Sequence, residues 1–284
     1  MLVLTTKDDL RDHLDTVRRA GRTVGLVPTM GALHEGHLSL VRAAADECDV
    51  VAVTIFVNPL QFDVGADLAS YPRPLDRDLE LAEDAGADVV FAPSVAEVYP
   101  RPTATSVRVE GLTSRMEGAS RPGHFDGVTT IVTKLFAIAG ACRAYFGEKD
   151  FQQLAVVSRM ADDLDQPVAV VGCPIVRDAD GLALSSRNVR LTREQRAAAP
   201  VLHRALRAGA AMIGAGERDA TAVAAQVADV VGTEAVARLD YAEVVDADSL
   251  EPKTVLERDD RVRLLVAANF GSTRLLDNLG TVVL

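Results

Sequence analysis

Pro28-Thr29-Met30-Gly31-Ala32-Leu33-His34-Glu35-Gly36-His37-Leu38 joins a β-branched apolar run to an amphipathic one. The run before it, Arg22 to Val27, reads as a strand, and Leu38 to Cys48 after it reads as a helix that begins after glycines. In an open α/β sheet, ligands bind where a strand ends and a helix begins. Gly31 and Gly36 let backbone approach a ligand closely, and the helix that follows offers unpaired N–H groups and a dipole that favours an anion. A phosphate fits that description. His34 and His37, three residues apart, fall on one helix face, so both imidazoles can address the same group. Without chemistry they would be a capping turn. Zinc is a poorer reading: the helical metalloprotease motif has Glu after its first histidine, as Glu35 stands here, but spaces its histidines by four.

The same alternation extends outward from this stretch. Candidate strands at Val50 to Val57, Asp88 to Phe91, Ala144 to Phe146 and Val168 to Val171 alternate with candidate helices at Thr6 to Ala20, Pro74 to Ala85, Val128 to Ala139 and Phe151 to Leu164. The strands are too continuously apolar to have one wet face, so the fold class is α/β with a doubly wound parallel sheet covered on both sides. After Cys173 the texture changes: a polar turn, Arg177 to Gly181, precedes Ala/Arg-rich helical stretches at Thr192 to Ala215 and Asp219 to Gly232. Leu239 to Val245 and Arg261 to Asn269 then read as strands. This implies a boundary near Ile175, with 1–175 as the ligand-binding domain and 176–284 as a smaller α+β C-terminal domain that covers the site.

The chain has 284 residues, 48% hydrophobic and 25% charged, which is enough to build a sizeable core. Its 41 acidic against 30 basic residues, net charge −11, argue against nucleic acid as a main partner while leaving a nucleotide-sized ligand possible. Cys48, Cys142 and Cys173 are an odd count without CxxC spacing, which fits a reducing cytoplasm and neither a disulfide frame nor a zinc knuckle. Lys7, Asp8 and Asp9 stand where a signal peptide would have its apolar stretch, and no apolar run approaches ~20 residues, so neither secretion nor a membrane is expected.

Three further clusters carry chemistry. Asn58 and Gln61, in Phe56-Val57-Asn58-Pro59-Leu60-Gln61-Phe62, offer neutral amides able to hold a carboxylate or hydroxyl without adding charge. The polar segment Asp63 to Tyr71 after them reads as a lid. In Phe146-Gly147-Glu148-Lys149-Asp150-Phe151-Gln152-Gln153 a lysine stands at a strand's carboxyl end, in a chain with only four lysines. Lys149 suits phosphate oxygens as a compact charge, and Gln153, four residues on, would share its helix face. Leu184-Ser185-Ser186-Arg187-Asn188 places two hydroxyls beside a guanidinium that can grip two phosphate oxygens at once. Arg121 to Thr130 opens a helix, with Asp126 as a sufficient cap, and stays outside the main site.

With VPTMGALHEGH, FVNPLQF, GHFDGV, FGEKDFQQL and LSSRN in this order, the chain resembles the pantoate–β-alanine ligase family over nearly its whole length. That family is similar to the HxGH nucleotidyltransferases, whose signature falls on His34 to His37. One departure is Leu184, where methionine would be expected. The resemblance implies a Rossmann-like fold and an ATP-dependent ligase that condenses pantoate with β-alanine through a pantoyl adenylate, releasing pyrophosphate and AMP. It implies an ATP site lined by Met30, Gly31, Ala32, Leu33, His34, Glu35, Gly36, His37, Gly147, Glu148, Lys149, Asp150, Val176, Leu184, Ser185, Ser186 and Arg187. The same histidines, Lys149, Ser185, Ser186 and Arg187 would do the catalytic work. Gln61 and Gln153, with Asn58, would hold pantoate. Mg²⁺ would bridge phosphate oxygens, with Asp150 as a candidate ligand but no dedicated protein metal site, and the protein would be a homodimer. Two alternatives remain: another HxGH nucleotidyltransferase that leaves the nucleotide on its product, and a nucleotide sensor without turnover.

Overall fold

The structure, a computed structural model, describes residues 1–62 and 71–284. The chain forms two compact units, Met1–Glu148 with Gln152–Pro174, and Lys149–Phe151 with Ile175–Leu284. Up to Pro174 its elements are β1 (Leu2–Leu4), α1 (Lys7–Arg19), β2 (Val24–Thr29), α2 (Glu35–Glu47), β3 (Val50–Ile55), α3 (Leu75–Asp84), β4 (Val89–Phe91), α4 (Val95–Val98), α5 (Glu117–Ser120), α6 (His124–Ala139), β5 (Cys142–Gly147), α7 (Phe151–Asp163) and β6 (Val168–Cys173). The six strands form one sheet in the order β1-β4-β3-β2-β5-β6, every ladder parallel.

Alternation along the strands divides the core into two layers. Leu26 of β2 and Val50 and Ala52 of β3 pack with Leu10 and Leu14 of α1 and Phe136 of α6, whereas Val27, Val51 and Val53 pack with Val41 of α2 and Ala82 of α3. A strand buried on both faces has no place for a polar period, which is why these runs read as continuously apolar. From β2 the chain winds one way through β3 and β4, and from β5 the other way to β6. The winding therefore reverses between β2 and β5, the place where such sheets leave a crevice beyond their carboxyl ends.

The second unit carries α8 (Arg193–Ala198), α9 (Val201–Gly214), α10 (Ala220–Gly232) and an antiparallel sheet of β7 (Ala237–Asp246), β8 (Arg261–Phe270) and β9 (Thr273–Val282), in that order. Its core joins Leu202 and Leu206 of α9, Val223 and Val227 of α10 and Leu264 and Val266 of β8. At Gly209 of α9 a Cβ would come within 2.7 Å of Leu264 and 2.8 Å of Val227, so only glycine allows this close approach.

Several boundaries differ from the sequence reading. The helical stretch 192–215 is two helices, because Pro200, which has no N–H to donate, stands between α8 and α9. Helix α2 begins at Glu35, three residues before Leu38, and α6 at His124, four before Val128; α6 has Gly123 as its N-cap, so Asp126 is a first-turn residue and not the cap. Two strands went unread. β1 is three residues long and largely exposed, and β9 carries Asp277, Asn278 and Gly280, all disfavoured in strands.

Candidate active site

The loop from β2 to α2 is fastened along its backbone. Gly31 N–H donates to Thr29 Oγ1 at 3.1 Å, and the Ala32 and Leu33 N–H groups donate to the two oxygens of Asp78 on α3, each at 2.7 Å. Gly31 (φ +81°) and Ala32 (φ +52°) are both left-handed, and a Cβ at Gly31 would lie 2.9 Å from Asp78. Glycine at 31 is thus demanded by the protein's own Asp78, in addition to any ligand. His34 is the N-cap of α2: its Nδ1 accepts the Gly36 N–H at 3.1 Å. That bond places the ring proton of a neutral imidazole on Nε2. The His34 and His37 rings lie 4.1 Å apart, centroid to centroid, so the spacing of three does bring the imidazoles together. The Glu35 carboxylate turns to Arg42 along the same helix, and this bond holds it below the usual carboxylate range. The N-terminus of α2 therefore offers fewer vacant groups than the sequence suggested, since the Gly36 N–H is used by His34.

Beyond β3, Asn58 and Gln61 also come together. Asn58 is 1% exposed: Nδ2 donates to Gln61 Oε1 and Gly127 O, each at 3.1 Å, and Oδ1 accepts from Tyr99 at 2.8 Å and from Leu60 N–H at 3.3 Å. The amide's four bonding positions are filled, so its geometry sets Gln61 in place. Gln61 Nε2 in turn reaches Met30 Sδ. Burial pushes the Tyr99 hydroxyl up to about 12, so it remains a donor to Asn58. His124 Nδ1 and Arg121 bond the Gln61 carbonyl oxygen at 3.0 and 3.3 Å, and a Cβ at Gly127 would come within 2.2 Å of Leu60 O. GHFDGV, left outside the main site by the sequence reading, is the support on which this turn rests. Of the lid segment Asp63 to Tyr71, residues 63–70 lie outside the described residues.

Gly147 ends β5, and a Cβ there would meet no described atom within 4 Å. Glu148, Lys149 and Asp150 form one 3₁₀ turn, with α7 starting at Phe151, so Lys149 and Gln153 do not share one continuous helix as expected. Within the second unit, Lys149 Nζ lies 3.8 Å from Asp150 Oδ1, and its carbonyl accepts from Asn278 of β9 at 2.8 Å. Arg263 of β8 donates to Asn278 Oδ1 at 2.7 Å, and its guanidinium stacks 3.9 Å over the Phe151 ring. Val176 and Leu184 are drawn together by the Leu184 N–H bond to Val176 O at 2.9 Å. Arg177 beside them makes a two-pronged pair with buried Asp277, at 2.6 and 2.9 Å. Ser185 Oγ accepts the Arg187 N–H at 3.2 Å, Asn188 Nδ2 donates to Ala183 O at 3.0 Å, and Arg187 is exposed. Asp78, Tyr99, Arg177, Arg263, Asp277 and Asn278 were not found from sequence. For Asp78, Arg263, Asp277 and Asn278 the available signal was chemistry, polar side chains at positions whose helix or strand neighbours are apolar; Tyr99 and Arg177 lie outside the helices and strands and offered no such signal.

A loop with two imidazoles 4.1 Å apart, at the crevice of a doubly wound parallel sheet, gives the chain the fold of the HxGH nucleotidyltransferase-like class. The sequence profile of the pantoate-beta-alanine ligase family matches residues 2–280. The chain belongs to that family. Pantothenate synthetases from Acetivibrio thermocellus and Moorella thermoacetica are each 52% identical to it over 279 residues, covering 98% of this chain and 99% and 98% of theirs. A solved pantothenate synthetase from Thermus thermophilus aligns with TM-score 0.91 at 48% identity, over 98% of this chain and 99% of that one. The pantoate-beta-alanine ligase from Francisella tularensis, complexed with beta-gamma ATP and beta-alanine, aligns with TM-score 0.79 at 30% identity, over 98% and 97%. Among the described residues no helix is long and apolar enough to cross a membrane.

Proposed function

We propose that this enzyme joins pantoate to β-alanine at the expense of ATP. The pantoate carboxylate attacks the α-phosphorus and pyrophosphate leaves. The amine of β-alanine then attacks the acyl carbon of pantoyl adenylate, AMP leaves, and the amine's proton is released to solvent. The observation that carries this reading is the close His34–His37 pair, its rings tilted by 37° with centroids 4.1 Å apart, on a backbone-fastened loop at the sheet's crevice. Such fixed donors are what a step needs when its difficulty is charge building on phosphate oxygens.

In this reading, Nε2–H of His34 and the His37 imidazole donate to phosphate oxygens, and Lys149, Ser185, Ser186 and Arg187 neutralise the triphosphate. Met30 to His37, Gly147 to Asp150, Val176 and Leu184 line the nucleotide. Gln61 and Gln153 hold pantoate, and Asn58 holds Gln61. Mg²⁺ would arrive on the triphosphate, which asks for only one or two protein carboxylates. Among the described residues there is no cluster of three or more His, Cys, Asp or Glu able to hold a metal, and the half-buried Asp150 beside Lys149 is the carboxylate that fits. We further infer a homodimer working in the cytoplasm, where the thiols of Cys48, Cys142 and Cys173 stay reduced.

The test is isotope exchange between ATP and pyrophosphate. Exchange should require pantoate and proceed without β-alanine. Exchange independent of pantoate would overturn the reading; a product that retains the nucleotide would favour an adenylyltransferase, and tight ATP binding without turnover a sensor.

A further inference from the structure

Helix α3 puts a charged residue where its neighbours are apolar. Asp78 is 1% exposed and shares the buried face with Ala82, one turn on. Among the described residues its two oxygens meet two consecutive main-chain N–H groups rather than a cation, Ala32 donating to Oδ2 and Leu33 to Oδ1, each at 2.7 Å. Hydrogen bonds to a carboxylate are the stronger kind, and two that diverge from neighbouring peptides fix the plane of each. The peptides they fix are unusual ones. Ala32 stands at φ +52°, a conformation that an L-residue with a Cβ seldom adopts, directly after Gly31 at φ +81°. His34, which caps α2 and whose ring lies 4.1 Å from that of His37, follows directly after Leu33.

We propose that Asp78 is a positioning residue for the histidine pair: by holding Ala32 left-handed and turning the Ala32 and Leu33 amides inward, it sets where the two imidazoles stand and hence the rate of the phosphorus step. The proposal rests on the ligase reading above for its kinetic consequence and not for its structural one. A carboxylate contributing only to folding would share the α3 side of the core with Ala82, so Ala82→Gly provides the control. An amide at 78 keeps the size but has one acceptor, and its NH₂ group faces a second N–H donor.

The experiment compares Asp78→Asn, Ala82→Gly and the unaltered enzyme. In Asp78→Asn, pantoate-dependent ATP–pyrophosphate exchange is expected to fall about 10- to 100-fold, the range typical of residues that orient a working group. The KM for β-alanine should stay within twofold, and the imidazole ¹H–¹⁵N resonances of His34 and His37 should move. Ala82→Gly should lower the melting temperature and leave exchange at 25 °C and both sets of resonances as they were. Glycine adopts the left-handed conformation without help, so adding Ala32→Gly to Asp78→Asn should recover part of the lost exchange. If Asp78→Asn alone does not fold, Asp78→Asn/Ala32→Gly is compared with Ala32→Gly in the same assays. Unmoved imidazole resonances with exchange within twofold of the reference would overturn the proposal. Failure of the unaltered enzyme to exchange at all would instead sink the ligase reading, and the resonances would still decide the role of Asp78.

Discussion

The loop of His34 and His37 in the first unit and the segment of Ser185 to Arg187 in the second contain comparable chemistry but are held differently. Three amides of the first are anchored, two of them on a buried carboxylate, and one imidazole is itself a helix cap. In the second, the Leu184, Arg187 and Asn188 amides are held only by neutral carbonyl and hydroxyl oxygens, and the Arg187 side chain is exposed. The contrast suggests a division of labour. Neutral donors must be aligned before the reaction to be worth anything, since their dipoles are short-ranged. A full charge acts over a longer distance and tolerates a flexible stem. Lys149 stands between these cases, its side chain long and its carbonyl pinned by Asn278.

Replacing one member of the fixed pair should therefore do the most damage. His37→Ala is expected to slow ATP–pyrophosphate exchange by about 10²- to 10³-fold, the cost of one preorganised donor, with the fold retained by circular dichroism. A smaller kinetic loss than that from Arg187→Ala would reverse the proposed ranking of the two regions. Next, Lys149→Ala should raise the KM for ATP and lower the exchange rate, by about tenfold in their ratio; a steady-state analysis in which neither changes removes Lys149 from the site. Asn278→Ala leaves the Lys149 carbonyl without this donor, at a cost of about 1–3 kcal/mol in urea denaturation. Its kinetic effect should vanish in a Lys149→Ala background if it acts through that residue. The smallest effect concerns His203, whose imidazole burial, with the nearby Arg177, holds below its ordinary 6.5. The native state binds a proton less readily there than the unfolded chain, so no penalty exists above about 6.5 and one grows as pH falls below it. His203→Gln should flatten the fall in melting temperature between pH 7 and pH 5; an unchanged slope would assign that slope to other groups.

The parallel sheet was legible because burial on both faces leaves Val50 to Ile55 no polar period, and the histidine loop because glycines and paired histidines at a strand end have few other uses. What escaped were polar residues inside apolar patterns. Asp78 sits on a buried helix face, and Asp277 and Asn278 sit in β9, where they oppose the strand signal that would have revealed the element. In each case the residue is poor for the element that contains it and serves a partner distant in sequence: Ala32 and Leu33 for Asp78, Arg177 for Asp277, Lys149 for Asn278. A local pattern cannot report such a partner. The early starts of α2 and α6 escaped for a related reason, since each opens on histidine and glycine residues that read as loop.

Gly127 gives the turn at Asn58 to Gln61 a mechanical property. With a would-be Cβ only 2.2 Å from Leu60 O and 2.7 Å from Gln61 N, the first turn of α6 meets that turn main chain to main chain, without a side chain between them to act as a cushion. A close-packed joint of this kind has little compliance. Any tilt of α6 is delivered to Gln61 as through a rigid lever, so substitutions far along that helix can retune the proposed pantoate contact without touching it.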